Sequence, residues 1–489
     1  MQWVGIVCGC LFCVQVVEGT TIYIATLSSI FLIVASLSFN TVGGLTRPSG
    51  GFILFNAGLT LGAGLFVKAA LGEPAQSNLQ NPDLSFLVYV VGQICLLAAA
   101  VFSSRLRRQK GLLANAVTSI NWRRVTLGCF VMGFVLSSLG ELTDSGAGSF
   151  GRALGQLNRF IPIAILLGVY FRCKTTDGRS SFYLPSFLAL LVQIFFGIIS
   201  YSKESLLSGP VCWALAAMAA GYRISRVRLA VIVAVSGIVL FFIYPYSQYG
   251  RTQASEGLGR SVYLLTHPVE TYELNKEHSD LEKAKLRSRS LLWFDSDAGF
   301  ADRLNMIAID DALINLTVTD HVHGMIYIWY DFLNIIPHVI LPDKPDIVWG
   351  NIYAHELGIL AADDHTTGVS FSPVADAFHE GTWFAVLILM PAMALMCFTV
   401  IDSVAGDIRE GPWGLYFLLV AAHQAPEGTM GAFVIMSTYA VEVISFAAFA
   451  SAYISPLIAT FFVGPEKKVL REVAPVRIIR KRPGMVIRG

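Results

Sequence analysis

Stretches of about twenty apolar residues recur along this chain, and that is the length needed to carry a helix through roughly 30 Å of hydrocarbon. Candidate spans fall near 2–18, 20–38, 51–71, 84–103, 124–140, 156–172, 181–200, 205–222, 226–245, 381–401, 411–424 and 429–463. The last is too long for one untilted helix and reads as a span plus a partly inserted segment. Composition agrees. Only 14% of the 489 residues are charged and 54% are hydrophobic, where a soluble domain carries about 25% charged residues. Single aqueous cores stop growing near 250–300 residues, so lipid is the remaining solvent for this much apolar surface. The expected fold class is an all-α polytopic membrane protein with about 12 transmembrane helices. The first stretch is no signal peptide by pattern, because no Lys or Arg precedes Arg47.

Basic residues set the expected orientation. Arg105, Arg107, Arg108 and Lys110 with Arg123 and Arg124 flank one connection, Arg172, Lys174 and Arg179 the next, and Arg223, Arg226 and Arg228 a third. A basic tail follows the last span. With the spans counted as above, all four lie on the cytoplasmic side. The expected organisation is an N-terminal bundle over 1–245, an outer loop over 246–380, further spans over 381–463 and a basic tail over 464–489. The tail reads as an anchor beside an anionic leaflet. The loop holds 20 acidic residues against 9 Lys or Arg, which suits an outer location. All nine histidines fall on that side, eight in the loop and His423 in a short turn before Pro426. Histidine is the side chain best placed to move protons near neutral pH. The eight cysteines lie in or beside apolar stretches, with neither a disulfide framework nor zinc spacing.

A connection of this length needs a purpose. It opens Tyr246-Ser247-Gln248-Tyr249-Gly250-Arg251 directly after a span. Residues 270–290 are charged and helical in pattern, Phe300 to Leu316 has helical periodicity with Arg303 near its start, and 324–341 is apolar, aromatic and suited to the headgroup region. There follow Pro337-His338-Val339-Ile340-Leu341-Pro342-Asp343-Lys344-Pro345, then Asn351-Ile352-Tyr353, then Ser370-Phe371-Ser372-Pro373-Val374-Ala375-Asp376 leading to Gly381. Together with Ser202-Lys203-Glu204-Ser205 at the outer start of a span, these segments resemble the O-antigen polymerase-like family. The architecture is similar over most of the chain, and the motifs cover about 200–385. Glu204, and His379-Glu380 before Gly381, depart from the pattern.

The resemblance implies an enzyme that joins polyprenyl-pyrophosphate-linked oligosaccharide repeat units on the outer face of a bacterial inner membrane. Such chemistry expels a lipid pyrophosphate, so it needs fixed cations, an oriented acceptor hydroxyl and a proton acceptor. Arg251 and Arg303 are the expected catalytic cations, since guanidinium forks onto phosphate oxygens, and His338 is the expected base, with His355, Glu356, His379 and Glu380 as further base candidates. Lys203, Lys344, Tyr249, Tyr353 and Ser370 are the expected substrate contacts. Each has a plainer role open to it: Arg251 as a snorkelling anchor, Arg303 in an ion pair with Asp302 or Asp310, Lys203 paired with Glu204. Asp320-His321-Val322-His323 and Asp363-Asp364-His365 supply metal-ligand types without a metalloenzyme spacing. No metal and no cofactor is expected. The expected partners are lipid-linked oligosaccharides, membrane lipid and a chain-length regulator or co-polymerase, with no nucleic acid. An O-antigen ligase shares this architecture. A transporter or flippase would show repeats and charged groups at the midplane, and no repeat is visible.

Overall fold

The computed structural model describes residues 2–117, 121–142, 158–252, 257–287, 291–296, 305–320, 324, 326–336, 341, 348–364 and 367–463. Over these residues the chain is all-helical with no strand, apart from one isolated bridge between Phe371 and Gly428. Helix α1 spans Gln2–Val17 and α2 Ile22–Val42; α3 (Pro48–Ala57) and α4 (Ala63–Leu71) run on through a π-helical turn; α5 spans Pro82–Leu106, α6 Trp122–Leu142, α7 Phe160–Thr175, α8 Leu184–Ile199, α9 Lys203–Ala219 and α10 Arg226–Thr252. The long connection contributes α11 (Gly257–Thr266), α12 (Pro268–Arg287), α13 (Ile307–Thr319), α14 (Ile326–Ile335) and α15 (Trp349–Glu356). Then come α16 (Pro373–Phe384), α17 (Met390–Ala405), α18 (Trp413–Glu427), α19 (Gly431–Ser437), α20 (Tyr439–Tyr453) and α21 (Ser455–Val463). A helix stands at every apolar stretch named above. Among the described residues, five helical runs are long and apolar enough to cross a membrane: Ile22–Val42, Pro48–Leu71, Pro82–Leu106, Pro373–Ala405 and Gly431–Val463.

The boundaries have local causes. Thr21 caps α2, its hydroxyl accepting from the Ile24 N–H at 3.3 Å, and Gly43 ends it in the left-handed region at φ 103°. Helix α10 does not stop at 245 but continues through Pro245 to Thr252, placing Tyr249 and Arg251 in its last two turns. Helix α16 starts at Pro373, eight residues before Gly381, because Ser372 caps it and Pro at the first position needs no N–H partner. It then breaks at Gly381 and Thr382, the latter at φ 50° and ψ −140°, before continuing through a π turn into α17. The stretch 429–463 divides into α19, α20 and α21 at Thr438 and Ile454.

Close packing uses small residues, as in membrane bundles. Helix α3 lies along α18, where a Cβ on Gly51 would stand 2.2 Å from Leu418 Cδ2. At Gly64 a Cβ would meet Trp293 Cζ3 at 2.4 Å. Trp293 belongs to the long connection, which packs on the bundle at this point. Its residues are clamped onto the hairpin after α4: the Trp293 indole donates to Ala75 O at 2.9 Å, and the Asp295 and Ser296 amides donate to Glu73, itself paired with the fully buried Lys68 at 3.0 Å. The Met306 amide donates to Thr60 O at 2.9 Å.

The opposite end of the bundle is basic. There Asp402 of α17 is buried and satisfied on both oxygens. Oδ1 accepts the Ser49 amide at 3.1 Å; Oδ2 accepts Ser49 Oγ at 2.7 Å and Arg107 Nη1 at 2.7 Å. One carboxylate thus caps the start of α3 and neutralises a cation at the end of α5. Removing one member of such a buried set typically costs about 3–5 kcal/mol. Asp402→Ala should lower unfolding stability in detergent by that order and Asp402→Asn by less, as read by thermal denaturation; equal stability of wild type and Asp402→Ala would refute the assignment.

Candidate functional site

Helices α13, α14 and α15 of the long connection dock on the end of the bundle away from Arg107, and acidic side chains hold them there. Asp310 and Asp311 of α13 are both fully buried. Asp311 accepts the Gln80 and Asn81 amides at the start of α5 and the Ser85 hydroxyl at 2.6 Å. Asp310 accepts the Tyr89 hydroxyl and, at 3.1 Å, the amide of Ser372, the cap of α16. Asp376 of α16 accepts the Tyr353 hydroxyl at 2.6 Å and the Met430 amide, just before α19, at 2.7 Å. Asp331 of α14 accepts the Trp349 indole N–H at 2.7 Å. His379 lies between Thr317 Oγ1 at 2.6 Å and Glu356 at 3.4 Å. Glu380 is buried facing Asp376 and Asp331, with no hydrogen-bond donor on either oxygen among the described residues.

Beside this layer, at the same end, residues at α7, α9, α18, α19 and α20 line a partly open cavity of about 290 Å³. Its polar lining is Arg159, Glu204, Tyr416, His423, Gln424 and Tyr439, over an apolar wall that includes Leu419, Val420 and Val443. Arg159 immediately precedes α7 and is half-buried, with Tyr439 in hydrogen-bonding reach and Tyr416 and Glu204 in its field. Glu204 sits in the first turn of α9, behind the cap Ser202, whose hydroxyl accepts the Ser205 amide at 3.2 Å. His423 and Gln424 ride on the last turn but one of α18. That turn is fixed by neighbours: Asn56 donates to Ala425 O at 2.8 Å, and Gly428 pairs with Phe371. A Cβ at Gly428 would stand 2.5 Å from Gln424 O and 2.8 Å from its Oε1. A guanidinium, a carboxylate, an imidazole, a carboxamide and two phenols converge on one small space, a set that can bind an anion, orient hydroxyls and accept a proton.

Of the residues expected from sequence, the described ones do not gather at this cavity. Lys203 opens α9 next to Glu204 but does not line the cavity. Tyr249 is partly buried against the cluster of Tyr201, Leu206, Tyr246 and Leu264. Tyr353 is fully buried on Asp376, its phenol held well above its usual range by burial and by the carboxylates around it. Ser370 is half-buried in the segment before α16. Arg251 is in the last turn of α10, with its side chain outside the described residues; Arg303, His338 and Lys344 also lie outside them, as do His321, His323 and His365. His355 bonds the Asp364 carbonyl at 2.8 Å. Among the described residues, no three ligating side chains gather as a metal site. Sequence reasoning missed Arg159, Tyr416 and Tyr439. The signal available for Arg159 was a cation at the start of an apolar stretch, as at Lys203.

No family model matches the chain, nor does any curated protein or solved structure.

Burial pushes Asp310 and Asp331 from their ordinary 3.8 up to about 6. Between those values the folded protein binds more protons than the unfolded chain, so the stability these groups lend is complete below about pH 4 and declines as the pH rises to about 6. The thermal midpoint should fall across that window, and Asp331→Asn, which keeps an acceptor for Trp349, should flatten the fall. An unaltered slope in the variant would remove Asp331 from the account.

Proposed function

We propose that the chain is a multi-pass enzyme of the bacterial inner membrane with about a dozen spans, and that it polymerises polyprenyl-pyrophosphate-linked oligosaccharide repeat units on the outer face, as in the O-antigen polymerase-like family. The observation that carries the reading is the cavity built around Arg159. It lies at the end of the bundle opposite the Arg107–Asp402 cluster, hence on the outer side by the positive-inside rule. There a half-buried guanidinium meets an imidazole and a carboxylate.

In this reading the acceptor hydroxyl attacks the anomeric carbon of the donor glycan, and the bond to the lipid pyrophosphate breaks. Arg159 stabilises the negative charge that develops on the departing pyrophosphate. His423, exposed at the rim of the cavity, receives the acceptor's proton. Tyr416 and Tyr439 hold the guanidinium in place. The bond to be broken is already activated, so the reaction draws on no nucleotide. Arg251, Arg303 and His338 are the motif-based candidates of the long connection. A chain-length regulator or co-polymerase is the proposed protein partner.

The test is a strain deleted for the gene, complemented with wild type, Arg159→Ala, Arg251→Ala or Arg303→Ala at matched membrane expression, with surface glycans resolved on a gel. Wild type should restore a ladder where the deletion leaves single repeat units on lipid, and Arg159→Ala should polymerise about 10²–10³-fold more slowly. Full-length polymer left on its carrier in the deletion would assign a ligase instead. Unchanged glycans would reject both enzyme readings.

A further inference from the structure

The pyrophosphate role occupies one corner of the cavity and leaves the rest of its lining unexplained. At about 290 Å³ the space is just below the ~300–1,000 Å³ usual for small-molecule sites, so it accommodates one sugar ring rather than an extended glycan. Two phenols line it, Tyr416 buried and Tyr439 half-buried, beside the carboxylate of Glu204 and the carboxamide of Gln424. A pyranose is the complement of this set. Its C–H faces pack on aromatic rings, its hydroxyls donate to a carboxylate, which only accepts, and an amide both donates to and accepts from a ring hydroxyl or an N-acyl group. Gln424 packs against Gly428, where any side chain would press on its backbone carbonyl and its Oε1.

Glu204 adds selection by charge. It stands in the first turn of α9, where the helix N-terminus favours a negative side chain. Glu204 is exposed at the mouth of the cavity, and a carboxylate on the bound sugar would meet a like charge there, which disfavours it.

Resting on the glycosyl-transfer reading above, we propose that the cavity is the subsite for the acceptor sugar and that Glu204 makes it select a neutral or N-acylated ring over a uronic acid. Gln424 and the two tyrosines position the ring, with its attacking hydroxyl toward Arg159 and His423.

The experiment uses the full chain in lipid nanodiscs and measures binding of the methyl glycosides of glucose, N-acetylglucosamine and glucuronic acid by saturation-transfer NMR with titration. In wild type the first two should bind and the glucuronide should bind at least about tenfold more weakly. Glu204→Gln, nearly isosteric and checked for an unchanged melting temperature, should bring the glucuronide to within about threefold of the glucoside. Equal binding of all three by wild type, or discrimination that survives Glu204→Gln, overturns the proposal. Absence of glycoside binding overturns it too; if inorganic pyrophosphate then binds and Arg159→Ala abolishes that, the cavity serves the donor alone and the functional reading stands. Glycosides that discriminate as expected, in a protein whose deletion leaves surface glycans unchanged, would sink the functional reading while keeping the sugar site.

Discussion

The first backbone N–H groups of a helix have no partner within it, and deep in a bundle there is little water to satisfy them. This constraint organises the molecule. Carboxylates reach across from other elements to supply the missing acceptors. Asp402 does so at Ser49, Asp311 at Gln80 and Asn81, Asp310 at Ser372, and Asp376 at Met430. Each acid is far in sequence from most of what it caps, so one side chain fixes both a helix start and a tertiary contact. A negative group is well placed there, because the N-terminal end of the helix dipole is positive. Against lipid, where apolar burial contributes little between helices, such polar ties carry much of the specificity of packing.

The ties also place the cavity. Asp376 holds Met430, Gly428 pairs with Phe371, and Asn56 holds Ala425. These three contacts fix the turn between α18 and α19, and with it His423, Gln424 and the start of α20 that carries Tyr439. Arg159 and Glu204 come from the unrelated starts of α7 and α9. The long connection contributes to this arrangement from behind, through α13 and α14, and among the described residues none of the cavity's lining comes from it.

Much of the fold was legible. A run of twenty apolar residues has few alternatives to a helix, so the stretches near 20–38, 51–71 and 84–103 coincide with α2, α3–α4 and α5 to within a few residues. Cap chemistry was legible too, as at Ser372-Pro373, although the apolar pattern drew attention to Gly381 instead. The break at Thr382 was not legible, because a non-glycine residue in the left-handed region is held there by its surroundings. The site was the least legible part. Motif similarity pointed to the long connection, where Tyr353 is occupied with Asp376, whereas Arg159, Tyr416 and Tyr439 belong to no local pattern.

The sequence by itself determined that the chain is helical and lipid-solvated, and which end of the bundle is basic. Those properties depend on the length, polarity and charge of contiguous segments, and contiguous segments are what a sequence displays. Tertiary structure alone decided which carboxylate caps which helix, where α16 breaks, and that Arg159, Glu204 and His423 share one space. Those outcomes depend on distances between residues up to several hundred positions apart, set by how the helices pack after each has formed.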